Sequence, residues 1–238
     1  MAGMIFFNPI FGRRNIPNIV KIGVSIGIAF NIYYGMTDIS VIDYSGIDMF
    51  LTLIKEFAVG FSMGFIIQMF LAIFHIGGEL IDLQMGIGMA IMYDPTSNSQ
   101  ISITGNLITV MYTLLFFITN SHITLIYIAA NSYKVIPIGV QPINSSVAVY
   151  FIELFGYILV YAVQLALPII VVEIIVEVVV GILMRFVPNI NVFVINLQIK
   201  LLVGITVLIT IIPVLVYYMG KINMIMLEKL EQVLSYLI

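Results

Sequence analysis

Of 238 residues, 62% are hydrophobic and 9% charged, with a mean hydropathy of +1.18, which excludes an ordinary soluble domain and points to a membrane protein. The chain has no cysteine, so a disulfide framework and thiolate chemistry are excluded. A net charge of −3 without any run of Lys or Arg leaves no electrostatic footprint for nucleic acid.

The first stretch, MAGMIFFNPIFGRR, offers about a dozen residues before Arg13 and Arg14, where a spanning helix needs roughly 20. It reads as the tail of a membrane helix cut short, because a signal peptide would place its basic residues before the apolar run. Pro17-Asn18 starts a helix that carries VKIGVSIGIAFNIYYGM, residues 20–36. Arg13, Arg14 and Lys21 lie on one side of it and Asp38, Asp43 and Asp48 on the other, so the positive-inside rule puts residues 11–21 in the cytoplasm and 37–48 outside.

From Asp48 to Tyr93 there is no proline and the pattern is helical, interrupted only around Gly77-Gly78, a pair that threatens the helix. Straight, that helix would be nearly 70 Å long, about twice a hydrocarbon core. Asp94-Pro95 ends it, and TSNSQ supplies turn and N-cap chemistry. An apolar segment then runs from Ile101 to Thr119, and Asn120-Ser121 caps a shorter one that reaches Tyr133. The loop KVIPIGVQPINSS, residues 134–146, is the clearest internal boundary. Beyond it, residues 147–187 and 190–219 form a helical hairpin around RFVPNIN, with Pro168 and Pro213 expected to kink its arms. The tail from Lys221 is amphipathic, with Ile225, Leu227, Leu230, Val233, Leu234 and Leu237 on one side and Glu228, Lys229, Glu231 and Gln232 mostly opposite. The fold class is therefore all-α, built of long, kinked helical hairpins of membrane type.

GFSMG, Gly60 to Gly64, matches the pattern around serine nucleophiles, but it is also a GxxxG, as is Gly23 to Gly27, and helix packing is the better reading. His75, Glu79 and Asp82 fall at i, i+4 and i+7, with Gln84 beside them, and share a stripe if the helix is continuous. A polar seam explains the stripe best, with proton relay or metal binding as rivals. Glu173 and Glu177 lie one turn apart, with Arg185 at the hairpin tip and Lys200 on the returning arm. Two like charges at that spacing repel, so at least one must be neutral, wet or paired. A buried polar contact between helices is the plain reading; the sharper one is a transport-coupling carboxylate, for which Glu177→Gln would abolish function without loss of assembly. Met85, Met89 and Met92 share a face that is unbranched and deformable, which suits either core packing or contact with varied shapes.

The chain resembles the export-gate family of type III secretion systems, FliR in flagella and SctT in virulence systems. The likeness is carried by NPIFGRRNIPNIVKIG at 8–23, GELIDLQMGIGMAIMYDP at 78–95, FFITNSHITLI at 116–126, KVIPIG at 134–139 and ALPIIVVEIIVEVVVGILMRFVPNINVFVINLQIK at 166–200. Relatives have a complete first membrane helix before the stretch that matches Asn8-Pro9. The resemblance implies a non-enzymatic subunit, without cofactor or metal, of a cone-like pore formed with FliP-like and FliQ-like subunits. An FlhB-like protein would sit on the cytoplasmic side, and unfolded flagellar proteins would pass outward through the inner membrane at the basal body. It also implies a FliP-like portion, residues 1–140, followed by a FliQ-like hairpin and tail, residues 141–238. The segment matching Met85 to Ser102 looks like the plug of that pore, with Met85, Gly86, Gly88, Met89, Met92, Tyr93, Asp94 and Pro95 as its core. Relatives often have aromatic residues where this chain has Met89 and Met92. The rival class is a proton-coupled transporter or ion channel that uses Glu79, Asp82, Glu173 or Glu177.

Overall fold

A computed structural model describes residues 1–13, 15–35, 46–87, 102–135, 146–186 and 192–236. Among these residues there are seven helices and no strand: α1 (Ala2–Phe6), α2 (Asn18–Tyr34), α3 (Gly46–Met85), α4 (Ile103–Ile118), α5 (Ser121–Val135), α6 (Ser146–Phe186) and α7 (Val192–Tyr236). The all-α expectation holds, as it must for apolar chain in lipid, where every backbone N–H and C=O needs an internal partner. Three helices are long and apolar enough to cross a membrane: Gly46–Met85, Ser146–Leu183 and Val194–Tyr236. The bent pair α4 and α5 makes a fourth if counted as one span.

The long helices differ in how much of themselves they hide. In the most apolar stretch of α3, 67% is buried within the chain, against 28% for α6 and 11% for α7. An all-round apolar stretch belongs in an interior, as this part of α3 does, whereas its first turns, with Ile47, Phe50 and Leu53, are exposed and the other two helices offer apolar faces outward. Both α6 and α7 continue through their prolines, Pro168 and Pro213, and α7 runs into the amphipathic tail without a break at Lys221. Successive contacts pair Tyr150 with Lys229, Tyr161 with Tyr218, and Glu177 with Lys200. Numbers rise on one arm as they fall on the other, which makes α6 and α7 the expected antiparallel hairpin.

Two compact units emerge. The first comprises residues 1–71, 116–156 and 222–238. In it, α1 lies against the GFSMG face of α3: a Cβ on Gly3 would stand 2.6 Å from the Phe57 carbonyl, and one on Gly64 would stand 3.1 Å from that of Met4. The motif is therefore a packing face. Ser62 supports that reading, since its hydroxyl donates to the Ala58 carbonyl at 2.9 Å. A Cβ on Gly23 or Gly27 would meet no atom of another element within 4 Å among the described residues. Helix α2 is inverted, with Lys21 and Ser25 buried while Ile19, Val20, Ile22 and Ile26 are exposed. The Lys21 ammonium donates to the Gly12 carbonyl at 3.0 Å, which gives the buried charge a partner. In the tail, Ile222, Met226, Leu230, Val233 and Leu234 form the buried face, while Ile225 and Leu227 sit at its half-buried margin. Asn223 joins this face through a 2.7 Å bond from its amide to the Ser121 hydroxyl, which lies 2.8 Å from that of Thr119.

Candidate functional site

The second unit comprises residues 72–115 and 157–221, and it holds the residues singled out for chemistry. The pair Gly77-Gly78 does not interrupt α3, which is continuous to Met85. Neighbouring backbones explain both glycines. A Cβ on Gly78 would run into the Cα and N of Gly105 in α4, and one on Gly77 would stand 3.0 Å from the Ala162 carbonyl in α6. The glycines cost helix propensity but let α3 touch two other helices at backbone distance.

Continuity aligns the polar stripe, yet packing divides it. His75 Nε2 and Glu79 Oε1 lie 3.4 Å apart with both side chains about half exposed, an arrangement of small energetic weight. Asp82 is buried and turns to α4. Its Oδ2 accepts the Ser102 hydroxyl at 2.7 Å, and both carboxylate oxygens lie 3.2 Å from the Thr104 N–H. Ser102 Oγ in turn accepts the Gly105 N–H at 2.8 Å. Helix α4 thus has two of its unpaired N-terminal donors satisfied, one by its own N-cap serine and one by a carboxylate from α3. Gln84 is half-buried. Because Asp82 is engaged elsewhere, it does not converge with His75 and Glu79, and no group of three metal-ligating side chains forms among the described residues. Sequence reasoning placed the cap in TSNSQ; the cap of α4 is Ser102, and residues 96–100 lie outside the described residues.

Met85 closes α3, almost fully buried. Gly86 follows at φ +78°, a left-handed conformation that glycine adopts without strain and that ends helices, and its N–H donates to the Leu83 carbonyl at 3.2 Å. Gly88, Met89, Met92, Tyr93, Asp94 and Pro95 lie outside the described residues. The seat of Met85 is on the hairpin. A Cβ on Gly204 would stand 2.6 Å from Met85 Cγ and 2.7 Å from Glu173 Oε1, so the methionine and the carboxylate share the space that this glycine leaves.

Glu173 is fully buried, and neither carboxylate oxygen has a hydrogen-bond partner among the described residues. Glu177, one turn on, is exposed and pairs with the largely buried Lys200 at 3.2 Å. The expected repulsion is thus resolved by position: one carboxylate is wet and paired, the other is enclosed. Arg185, expected among the buried charges, is exposed instead, in the last turn of α6, where a cation faces the helix's unpaired carbonyls. Glu177 is likewise a surface charge in this chain. Sequence reasoning missed Ser102, Thr104 and Gly204. A serine just ahead of an apolar run was a usable signal for the first; the glycine's role needed the fold.

The family model "Bacterial export proteins, family 1" matches residues 1–224. Flagellar biosynthetic protein FliR of Escherichia coli (strain K12) is 28% identical over 90% of this chain and 82% of its own length. FliR of Pectobacterium carotovorum subsp. carotovorum is 30% identical over the same shares. The Yop proteins translocation protein T of Yersinia pestis is 26% identical over 76% of this chain and 70% of its own length. With a match that runs through nearly every described helix, the chain belongs to the bacterial export proteins, family 1, the FliR/SctT family.

Proposed function

We propose that this chain is the FliR-type subunit of a flagellar export gate. In this reading it assembles with FliP-like and FliQ-like subunits in the inner membrane, beside an FlhB-like protein. Together they form the pore through which unfolded flagellar proteins leave the cell. Family membership over residues 1–224 carries the reading, and the relatives that share it are named for flagellar biosynthesis and protein translocation. The outward apolar faces of α6 and α7 support it, since a subunit of a larger assembly leaves such faces for its neighbours. Residues 1–140 are the FliP-like portion and 141–238 the FliQ-like hairpin that docks those neighbours.

The plug reading of Met85 to Ser102 draws support from how the two ends of that stretch are held. Met85 is seated against Gly204, and Ser102 is bonded to Asp82, so the chain between them leaves and rejoins packed helices at fixed points. An apolar constriction on such a base blocks ions by dewetting yet yields to a passing chain. Deleting residues 87–101 leaves the gate assembled but leaking ions; an electrically tight gate after the deletion removes the plug assignment. The rival transporter reading rests on Glu173, the buried carboxylate without a partner among the described residues. A transporter would move ions in liposomes as this chain alone, whereas a gate subunit makes a pore only with its partners.

A further inference from the structure

The N-terminus of α4 is capped twice, and the second cap comes from a different helix. Ser102 already satisfies the Gly105 N–H in the ordinary way. Asp82 adds bonds to the Ser102 hydroxyl and the Thr104 N–H from three residues before the end of α3. Nothing in helix capping alone calls for a carboxylate from elsewhere, and burying one is costly unless donors surround it. Here the donors are the hydroxyl, an amide and the positive end of the helix, all on α4, so the charge is tolerated only while α3 and α4 stay together.

We infer that Asp82 is the positioning residue for the stretch between α3 and α4: its carboxylate clasps the end of one helix to the start of the next. The clasp fixes where the intervening chain departs and returns. This inference rests on the plug reading for its consequence, since a closure is only as well placed as its root. The geometry sets demands on residue 82. Across the Gly78 and Gly105 contact the helix backbones touch, so the side chain must be short: aspartate reaches, and glutamate would overshoot. Asparagine keeps an oxygen for the Thr104 N–H, whereas alanine keeps nothing. Without the clasp, loop-closure entropy favours separation of the two ends, and only packing of Met85 and Gly78 opposes it.

The absence of native cysteine allows a direct measurement in the assembled gate. Leu83 and Ile103 are exposed residues next to Asp82 and Ser102, so Leu83→Cys and Ile103→Cys accept spin labels that report the separation of the two ends. The expected result is one narrow distance distribution in the parent, a broad one in Asp82→Ala, and a narrower one than that in Asp82→Asn. Ion leak follows the same order. Losing both acceptor oxygens shifts the clasped-to-open ratio by about tenfold or more, so Asp82→Ala leaks as the loop deletion does, while Asp82→Asn, which keeps one acceptor for the Thr104 N–H, leaks less than Asp82→Ala. Ser102→Ala falls between them. An Asp82→Ala distribution as narrow as the parent's overturns the clasp. So does a tight Asp82→Ala gate alongside a leaking deletion of 87–101. If that deletion is itself tight, the plug reading falls and the distance distributions alone decide the clasp. Should Asp82→Ala fail to assemble, Ser102→Ala against the parent decides it, with an unbroadened distribution counting against.

Discussion

Lys200 faces two glutamates with different surroundings, and its removal should be felt more than the loss of either. The ammonium is largely buried, Glu177 is half in water, and Glu173 is enclosed without a hydrogen bond among the described residues. Glu177→Gln keeps an acceptor for the ammonium at a half-exposed position, so its cost stays under about 1 kcal/mol. Glu173→Gln keeps shape and removes an ionisable group from a site that offers it no donor, so stability is unchanged or higher. Lys200→Met leaves two carboxylates one turn apart with no cation across from them, at a cost of about 2–3 kcal/mol. Thermal unfolding of the purified complex in detergent checks this order. Retained export in both Glu173→Gln and Glu177→Gln separates the gate reading from a transport reading, which needs one of those carboxylates.

Helix contacts in this protein depend on glycines that look alike in the sequence and differ in the fold. Gly78 abuts the backbone of Gly105, whereas a Cβ on Gly156 in α6 would meet no atom within 4 Å among the described residues. Gly78→Val therefore forces α3 from α4, at about 3 kcal/mol or more, and Gly156→Ala gains helix propensity of up to about 1 kcal/mol. Melting temperatures of the two variants moving in opposite directions would bear this out. The same contrast marks what was legible beforehand. Helix positions, the hairpin and the all-α class follow from apolar runs and proline punctuation, which are local. Whether Gly77-Gly78 breaks the helix, and whether Arg185 is buried, could not be read beforehand because the outcome depends on neighbours: Gly105 and Ala162 fill the space that the glycines leave, and no described helix covers Arg185. The candidate site was half legible in the same sense. Asp82 and Met85 stood out by residue type and spacing, but their partners, Ser102, Thr104 and Gly204, lie far along the chain.

As a whole, the molecule distributes its apolar residues unequally. The most apolar stretch of α3 is largely buried, while α6 and α7 carry exposed Phe155, Ile182, Leu202 and Ile209 among many others. In a membrane those faces meet lipid or other subunits, and in water neither is present. Expressed alone, the chain should be recovered in low yield and aggregate on extraction. Co-expressed with FliP-like and FliQ-like proteins, it should be recovered at several times that yield in one complex of defined mass by native mass spectrometry. Equal recovery in both cases would count against a gate subunit. The seat of Met85 also has a consequence for biosynthesis. Met85 is made early, and Gly204, whose missing side chain makes room for it, is made much later. At roughly 5–20 residues per second, the ribosome leaves the end of α3 waiting on the order of ten seconds for its partner. During that interval α1, α4 and α6 can already pack on α3, but Met85 lacks its seat, so a nascent chain halted before α7 leaves the last turn of α3 uncovered on that side.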